Sequence, residues 1–271
     1  MTKQFKSPFV QDHFSGILMD VDSTLTNSDG EISERTKKAL GHLASVNIPF
    51  GVCTGRSFAM LKPFILTLFP TSNLHVVSGG GQIIFSNGKE VFCNYISSKK
   101  IEKILHLANI LKLEYCISQG DSTYCSANTA SKLKNNSWKF DVQEGTSKLK
   151  TDHVTIVALF GVTETIINQI CRERDLEFQI IRKTSGFDID ITNKNINKLI
   201  GAKFWAKNYN TRVDQIAFVG DSNNDMSLMK KVGLGIAMGN ATEDIKRIAK
   251  TTIDYTDNDG LAKFIESISA S

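Results

Sequence analysis

Apolar positions along this chain fall into short runs separated by polar turns. Residues 15–22, SGILMDVD, form an apolar run flanked by polar residues and closed by two acids, which predicts a short buried strand. A turn-rich stretch follows, and Ser33 is placed to cap a helix in which Thr36, Leu40, Leu43 and Ala44 recur at helical spacing. Residues 48–54 predict a second strand, Gly55-Arg56-Ser57 a helix entry, and residues 75–81 a third strand. The C-terminal part has the same rhythm. A helix from about Asn197 leads to a strand at 215–221, a helix from Asn224, a strand at 235–239, a helix at 242–249, a strand at 251–256 and a last helix. Strands alternating with helices imply a parallel sheet covered by helices, that is, an α/β fold.

The middle has another rhythm. An amphipathic helix at 97–112 precedes strand-like runs at 114–118, 122–127 and 154–160, a helix at about 163–174, and strands at 178–183 and 187–192. Tight turns are expected at Gly120-Asp121 and Ser185-Gly186. This order predicts an α+β domain, residues 86–188, inserted between two core segments, residues 1–85 and 189–271.

Composition changes this picture little. A 271-residue chain with 41% apolar and 22% charged residues has material for a core without staples. The net charge of +4 comes from 32 basic residues, spread along the chain, against 28 acidic ones. A nucleic-acid binder would concentrate them on one face, so none is expected as a partner. The start of the chain has no apolar segment of signal-peptide type, and no run is long enough to span a membrane. A cytoplasmic protein with no membrane partner is the expectation. Cys53, Cys93, Cys116, Cys125 and Cys171 show no metal or redox spacing and are expected to be reduced thiols.

The candidate chemistry lies at predicted strand ends. Asp20 and Asp22 stand at the carboxyl end of the first strand, the edge at which open parallel sheets bind ligands. Alternation would send both to one side. Asp221 and Asp225, in GDSNND, end another strand at the same edge. Four converging acids call for a cation, and an all-oxygen donor set suits Mg²⁺. Thr54 and Gly55, at a strand-to-helix turn, offer a hydroxyl and free N–H groups to an anion. Lys198, in the first turn of the helix after Asn197, adds a positive charge. Phosphoryl transfer needs these parts: a nucleophile, an acid/base, a metal clamp and donors for the phosphoryl oxygens.

Taken together, DVDST (Asp20 to Thr24), CTGR around Thr54, Lys198, GDSNND and AMGNA resemble the haloacid dehalogenase-like superfamily. The similarity is closest to the Cof-type hydrolases, which have a Rossmann-like core and a large α+β cap (C2, subclass IIB). The resemblance implies a Mg²⁺-dependent phosphatase acting on small phosphorylated metabolites through an aspartyl-phosphate. It implies that Asp20 is the nucleophile and Asp22 the general acid and base. Asp20, Asp22 through its carbonyl, and Asp221 would hold the metal, with Asp225 supporting it. Thr54, Gly55, Lys198 and the backbone at Ser23 would bind phosphate. Asn224 and Arg56 would support the site, Arg56 by touching substrate or by holding the helix start. Three positions depart from the family pattern: Ser23 replaces a usual Gly, Leu199 follows Lys198 in place of Gly, and Gly79-Gly80-Gly81 replaces Asn-Gly-Ala.

A phosphosugar mutase would use the same aspartate, and a silent binding protein would keep only the fold. The substrate is expected to be selected by the insert, with candidate loops around 120–128 and 184–188. Trp138 is either a packing residue or a substrate-facing one.

Overall fold

The computed structural model describes residues 14–46, 48–134, 138–170, 176–183 and 186–269. It divides into two compact units. The first takes in the described parts of Met1–Val52, Leu68–Pro70 and Ala206–Ser271, and the second those of Cys53–Thr67 and Thr71–Trp205.

The first unit is built on a five-stranded sheet. In spatial order its strands are Thr251–Thr252, Leu234–Ala237, Ala217–Gly220, Ile17–Met19 and Phe50–Val52. Every neighbouring pair is parallel, with Ile17 beside both Ala217 and Phe50. Ile17–Met19 and Ala217–Gly220 are buried along their whole length, as strands covered on both faces must be. Helix Glu34–Ser45 begins where expected, since Ser33 Oγ accepts the Thr36 N–H at 3.1 Å. It buries Thr36, Ala39, Leu40 and Leu43. Ala39 thus takes the core position expected for Ala44, which is exposed.

The second unit holds a six-stranded sheet in the order Leu176–Lys183, Gly186–Asn193, Val157–Val162, Glu114–Gln119, Ser122–Cys125 and Asp141–Glu144. All pairs are antiparallel except the last. Helices Ser98–Ile110 and Glu164–Ile170 bury Ile101, Ile104, Ile167 and Ile170 against Ile117, Val157, Leu159 and Ile189 of the sheet. Cys116, Cys125, Phe140 and Val142 form a separate cluster, with Trp138 packed against it. The unit also contains residues 58–67 of helix Phe58–Leu68 and residues 198–205 of helix Lys198–Asn208.

These two sheets make the protein an α/β fold with a parallel core and an α+β portion inserted in the chain, as the apolar pattern predicts. Several elements differ in detail. The expected third strand is Leu74–Val77, and among the described residues its one parallel link is the isolated bridge Cys53↔Val76. Its main partners are Gln82–Phe85 and Glu90–Cys93, in an antiparallel three-stranded sheet. The helix expected from Asn224 is a 3-10 turn, Asn223–Asp225, followed by the single helical turn Met226–Met229. Among the described residues, no helix is long and apolar enough to cross a membrane. Cys171 and the turn residue Ser185 lie outside the described residues.

Candidate active site

In the first unit, the strand Ile17–Met19 stops one residue before Asp20, so strand alternation does not govern the two acids. Asp20 turns inward and is 4% exposed, whereas Asp22 lies exposed in the following turn. The turn is fixed by its backbone: the N–H groups of Leu25 and Thr26 each donate to the Val21 carbonyl at 2.9 Å. The Thr26 hydroxyl donates to the same oxygen at 3.2 Å. Ser23 sits at φ 57°, the left-handed region in which glycine is usual. Its carbonyl is held by Asn240 Nδ2 at 2.7 Å, so the turn keeps a serine by anchoring it. Asn240 belongs to AMGNA, and this contact gives that motif a structural reason.

Asp20 Oδ1 accepts the Val21 N–H at 2.8 Å, which fixes the carboxylate plane. Asp225 is fully buried, and its Oδ2 accepts the N–H groups of Asp221 (3.0 Å) and Ser222 (3.2 Å). This ties the turn after Gly220 into one conformation. A Cβ at Gly220 would lie 2.5 Å from that same oxygen, so the carboxylate occupies the space a side chain would need. Thr24 Oγ1 donates to Asp221 Oδ1 at 3.0 Å across 197 residues of sequence. Asn224 Oδ1 accepts from Ser222 Oγ at 2.8 Å.

Asp20, Asp221 and Asp225 each place a carboxylate oxygen within 4.8 Å of the other two. At that separation two unit charges repel by about 3 kcal/mol at an effective dielectric of 20. A cation is the simplest group to remove the conflict, and a donor set of oxygens alone fits a hard divalent ion. Asp22 contributes no carboxylate to this group.

Thr54, Gly55, Arg56 and Lys198 belong to the second unit. Thr54 Oγ1 accepts the Arg56 N–H at 3.1 Å. The Gly79 N–H donates to the Thr54 carbonyl at 2.9 Å and the Ser78 N–H to the Arg56 carbonyl at 2.8 Å. The glycine run therefore laces onto the strand-to-helix turn. Lys198 opens the helix Lys198–Asn208, and Asn197 Oδ1 caps it by accepting the Ile200 N–H at 3.1 Å. The Lys198 side chain belongs to a residue only 3% exposed. Cys53 Sγ lies 3.9 Å from the Lys198 carbonyl, so the chain just before Thr54 abuts the helix start.

Two glycines make this approach possible, Gly80 of the run already noted and Gly201, which sequence reasoning passed over. Gly80, at φ 100°, has the Asn197 carbonyl oxygen 2.1 Å from where its Cβ would be. Gly201 would place a Cβ 2.8 Å from the Gly80 Cα. The one available signal was the run of three glycines. Gly55 would place a Cβ 2.7 Å from Asp190 Oδ2, a contact with a residue 135 positions away that no local motif announces. Arg56 lies over the Trp138 ring at 4.3 Å, and Trp138 meets Phe64 edge-on at 5.0 Å. Cys116 and Cys125, unrelated by any motif, are cross-strand partners with Sγ atoms 2.9 Å apart.

A parallel sheet with a carboxylate cluster that could hold a metal ion at its carboxyl edge, interrupted in sequence by an α+β portion, is an α/β hydrolase architecture. The haloacid dehalogenase-like hydrolase family matches residues 17–265, and the chain belongs to that family. The chain is 25% identical over 254 residues to the 5-amino-6-(5-phospho-D-ribitylamino)uracil phosphatase YcsE of Bacillus subtilis, with 92% of this chain and 93% of that one covered. A haloacid dehalogenase-like hydrolase from Bacteroides thetaiotaomicron has the same fold at TM-score 0.79 and 23% identity, covering 93% and 98% of the two chains. A sugar phosphatase of HAD subclass IIB superposes at TM-score 0.77 with 18% identity, covering 93% and 98%.

Proposed function

We propose that the protein is a Mg²⁺-dependent phosphatase of small phosphate monoesters that works through an aspartyl-phosphate. The observation that carries this reading is the oxygen cluster of Asp20, Asp221 and Asp225, with Asp20 buried and its carboxylate plane fixed. Family membership and relatives named as phosphatases support it.

In this reading, Asp20, the Asp22 carbonyl and Asp221, supported by Asp225, would hold Mg²⁺, which would supply charge neutralisation at the phosphoryl oxygens. Asp20 attacks phosphorus with the carboxylate oxygen not committed to the Val21 N–H. The phosphorus–oxygen bond to the leaving alcohol breaks, and Asp22 gives that oxygen a proton. Asp22 then takes a proton from water, which attacks the acyl phosphate and restores Asp20. The exposure of Asp22 suits a group that must exchange protons in both halves. We assign Thr54, the Gly55 N–H, Lys198 and the backbone at Ser23 to the phosphoryl oxygens. Asn224 and Arg56 support the arrangement, Asn224 through Ser222.

The test is phosphate release from sugar phosphates, nucleotides, phosphorylated cofactors and an aryl phosphate, with Mg²⁺ or with chelator. Release by the native protein in Mg²⁺, lost by a factor of about 10³ or more with Asp20→Asn, is expected for a nucleophile. Release that survives Asp20→Asn overturns the assignment.

A further inference from the structure

The second unit contains a cavity of about 530 Å³, a volume within the range of small-molecule sites. One wall is the start of helix Phe58–Leu68, with Ser57, Phe58 and Ala59. The first N–H groups of a helix have no acceptor within it and favour negative charge. This helix has no acidic residue in its first turn to answer them.

Two cations, Lys148 and Lys150, also line the cavity. Their loop is pinned to the six-stranded sheet. Gln119 clamps Lys150 from both sides, its Nε2 donating to the carbonyl at 2.7 Å and its Oε1 accepting the N–H at 3.0 Å. The Tyr124 hydroxyl donates to the Lys148 carbonyl at 3.4 Å. The lysine backbones are thus positioned while both side chains stay accessible.

A third observation is independent of charge. Thr155, a hydrogen-bonding side chain on a residue only 6% exposed, also lines the cavity. A hydroxyl at the cavity wall can donate a hydrogen bond to an anionic oxygen bound there. One carboxylate, Glu90, also lines the cavity. It is answered locally by Gln82 Nε2 at 2.6 Å and Tyr95 at 3.4 Å, and the two lysines outnumber it.

We infer that this cavity binds a second anionic group on the alcohol portion of the substrate, so that the preferred monoesters carry a carboxylate or a further phosphate. This rests on the phosphatase reading, in which Thr54 holds the transferred phosphoryl group. Ser57, at the cavity wall, follows Thr54 by three residues, a reach of at most about 11 Å. A linear polyol or sugar acid spans that distance. Lys148, Lys150 and Thr155 are the specificity determinants.

The test compares matched pairs: 6-phosphogluconate against glucose 6-phosphate for the carboxylate, and fructose 1,6-bisphosphate against fructose 6-phosphate for the second phosphate. Affinities are measured by calorimetry on the Asp20→Asn protein in Mg²⁺, and kcat/KM on the native protein. The anionic member of at least one pair should bind about tenfold more tightly or better, the yield of one charge-assisted hydrogen bond. That ratio should fall towards one in K148Q/K150Q and shrink in high salt. Thr155→Val, which keeps the side-chain shape, should lower the same ratio. Ratios below about twofold for both pairs, or ratios indifferent to the lysines, overturn the inference. Turnover without an anionic preference refutes the cavity assignment and leaves the phosphatase reading intact. Binding preference without turnover does the reverse.

Discussion

Replacing Gly80 by alanine adds one methyl group where the structure has no room for it. The new Cβ would sit 2.1 Å from the Asn197 carbonyl oxygen and 3.3 Å from the Lys198 nitrogen. Both are backbone atoms, so no rotamer change relieves the clash. Forced overpacking costs about 1–3 kcal/mol. The φ of 100° adds about 1–2 kcal/mol for an L side chain. Together roughly 2–5 kcal/mol is lost, or about 4–10 °C in Tm for a chain of this size. Relief requires the start of helix Lys198–Asn208 to move, so Lys198 moves with it and phosphatase activity should fall along with stability. Gly41→Ala is the control. It makes the same chemical change in helix Glu34–Ser45, where a Cβ meets nothing within 4 Å, and should raise stability by about 0.5–1 kcal/mol. Thermal and urea unfolding of both variants reads the difference. Gly80→Ala within about 0.5 kcal/mol of the native protein, or both variants shifting in the same direction, would refute the close-approach argument.

Two further outcomes are expected. Burial beside Ser86 Oγ, 2.8 Å away, pushes the His75 imidazole down to about 3, so it stays neutral in the fold while the unfolded chain protonates near its ordinary 6.5. Between those values the unfolded state holds more protons, so stability falls as pH falls, by about 2 kcal/mol at pH 5 from this group. His75→Gln should flatten the urea-unfolding profile between pH 7 and 5, and an unchanged slope would remove His75 as its cause. Mg²⁺ at a hundredfold excess over its Kd should stabilise the protein by about 2.7 kcal/mol. Chelator or Asp221→Asn should abolish that rise in Tm, and a rise surviving Asp221→Asn would place the ion elsewhere.

Asp20 and Asp221 were legible because each closes an apolar run, and a strand end is a local property; Asp225 was legible only through the GDSNND pattern. The three-dimensional grouping of Asp20 with Asp221 and Asp225 follows once the two strands are neighbours in a parallel sheet. What stayed hidden depended on distant partners or on weak local patterns. The hairpin Gln82–Phe85 with Glu90–Cys93 has a half-exposed pattern that no simple alternation announces. Strand Asp141–Glu144 carries acids at both ends, and it pairs in parallel at the sheet edge. The strand expected at 122–127 is present as Ser122–Cys125, but helix Ala127–Lys134 directly after it was not announced; Ala130 of that helix buries against the cross-strand cysteines. Asp22 was expected to share a side with Asp20, but the chain leaves the strand before either acid. Residues 184–185 lie outside the described residues.

The central pairing of the parallel sheet joins Leu18 to Phe218. Strand Phe50–Val52 can dock on Ile17–Met19 early, but the other edge has no partner until roughly 200 more residues have been made. At translation speeds of about 5–20 residues per second, that edge waits on the order of 10–40 s. Throughout that interval a strand destined for full burial has one row of backbone groups without its native partner, the kind of edge that invites foreign pairing. The nascent chain therefore depends on the ribosome tunnel, chaperones or its own early helices to shield three apolar residues, and synthesis rate should influence the yield of folded protein more than mature stability does.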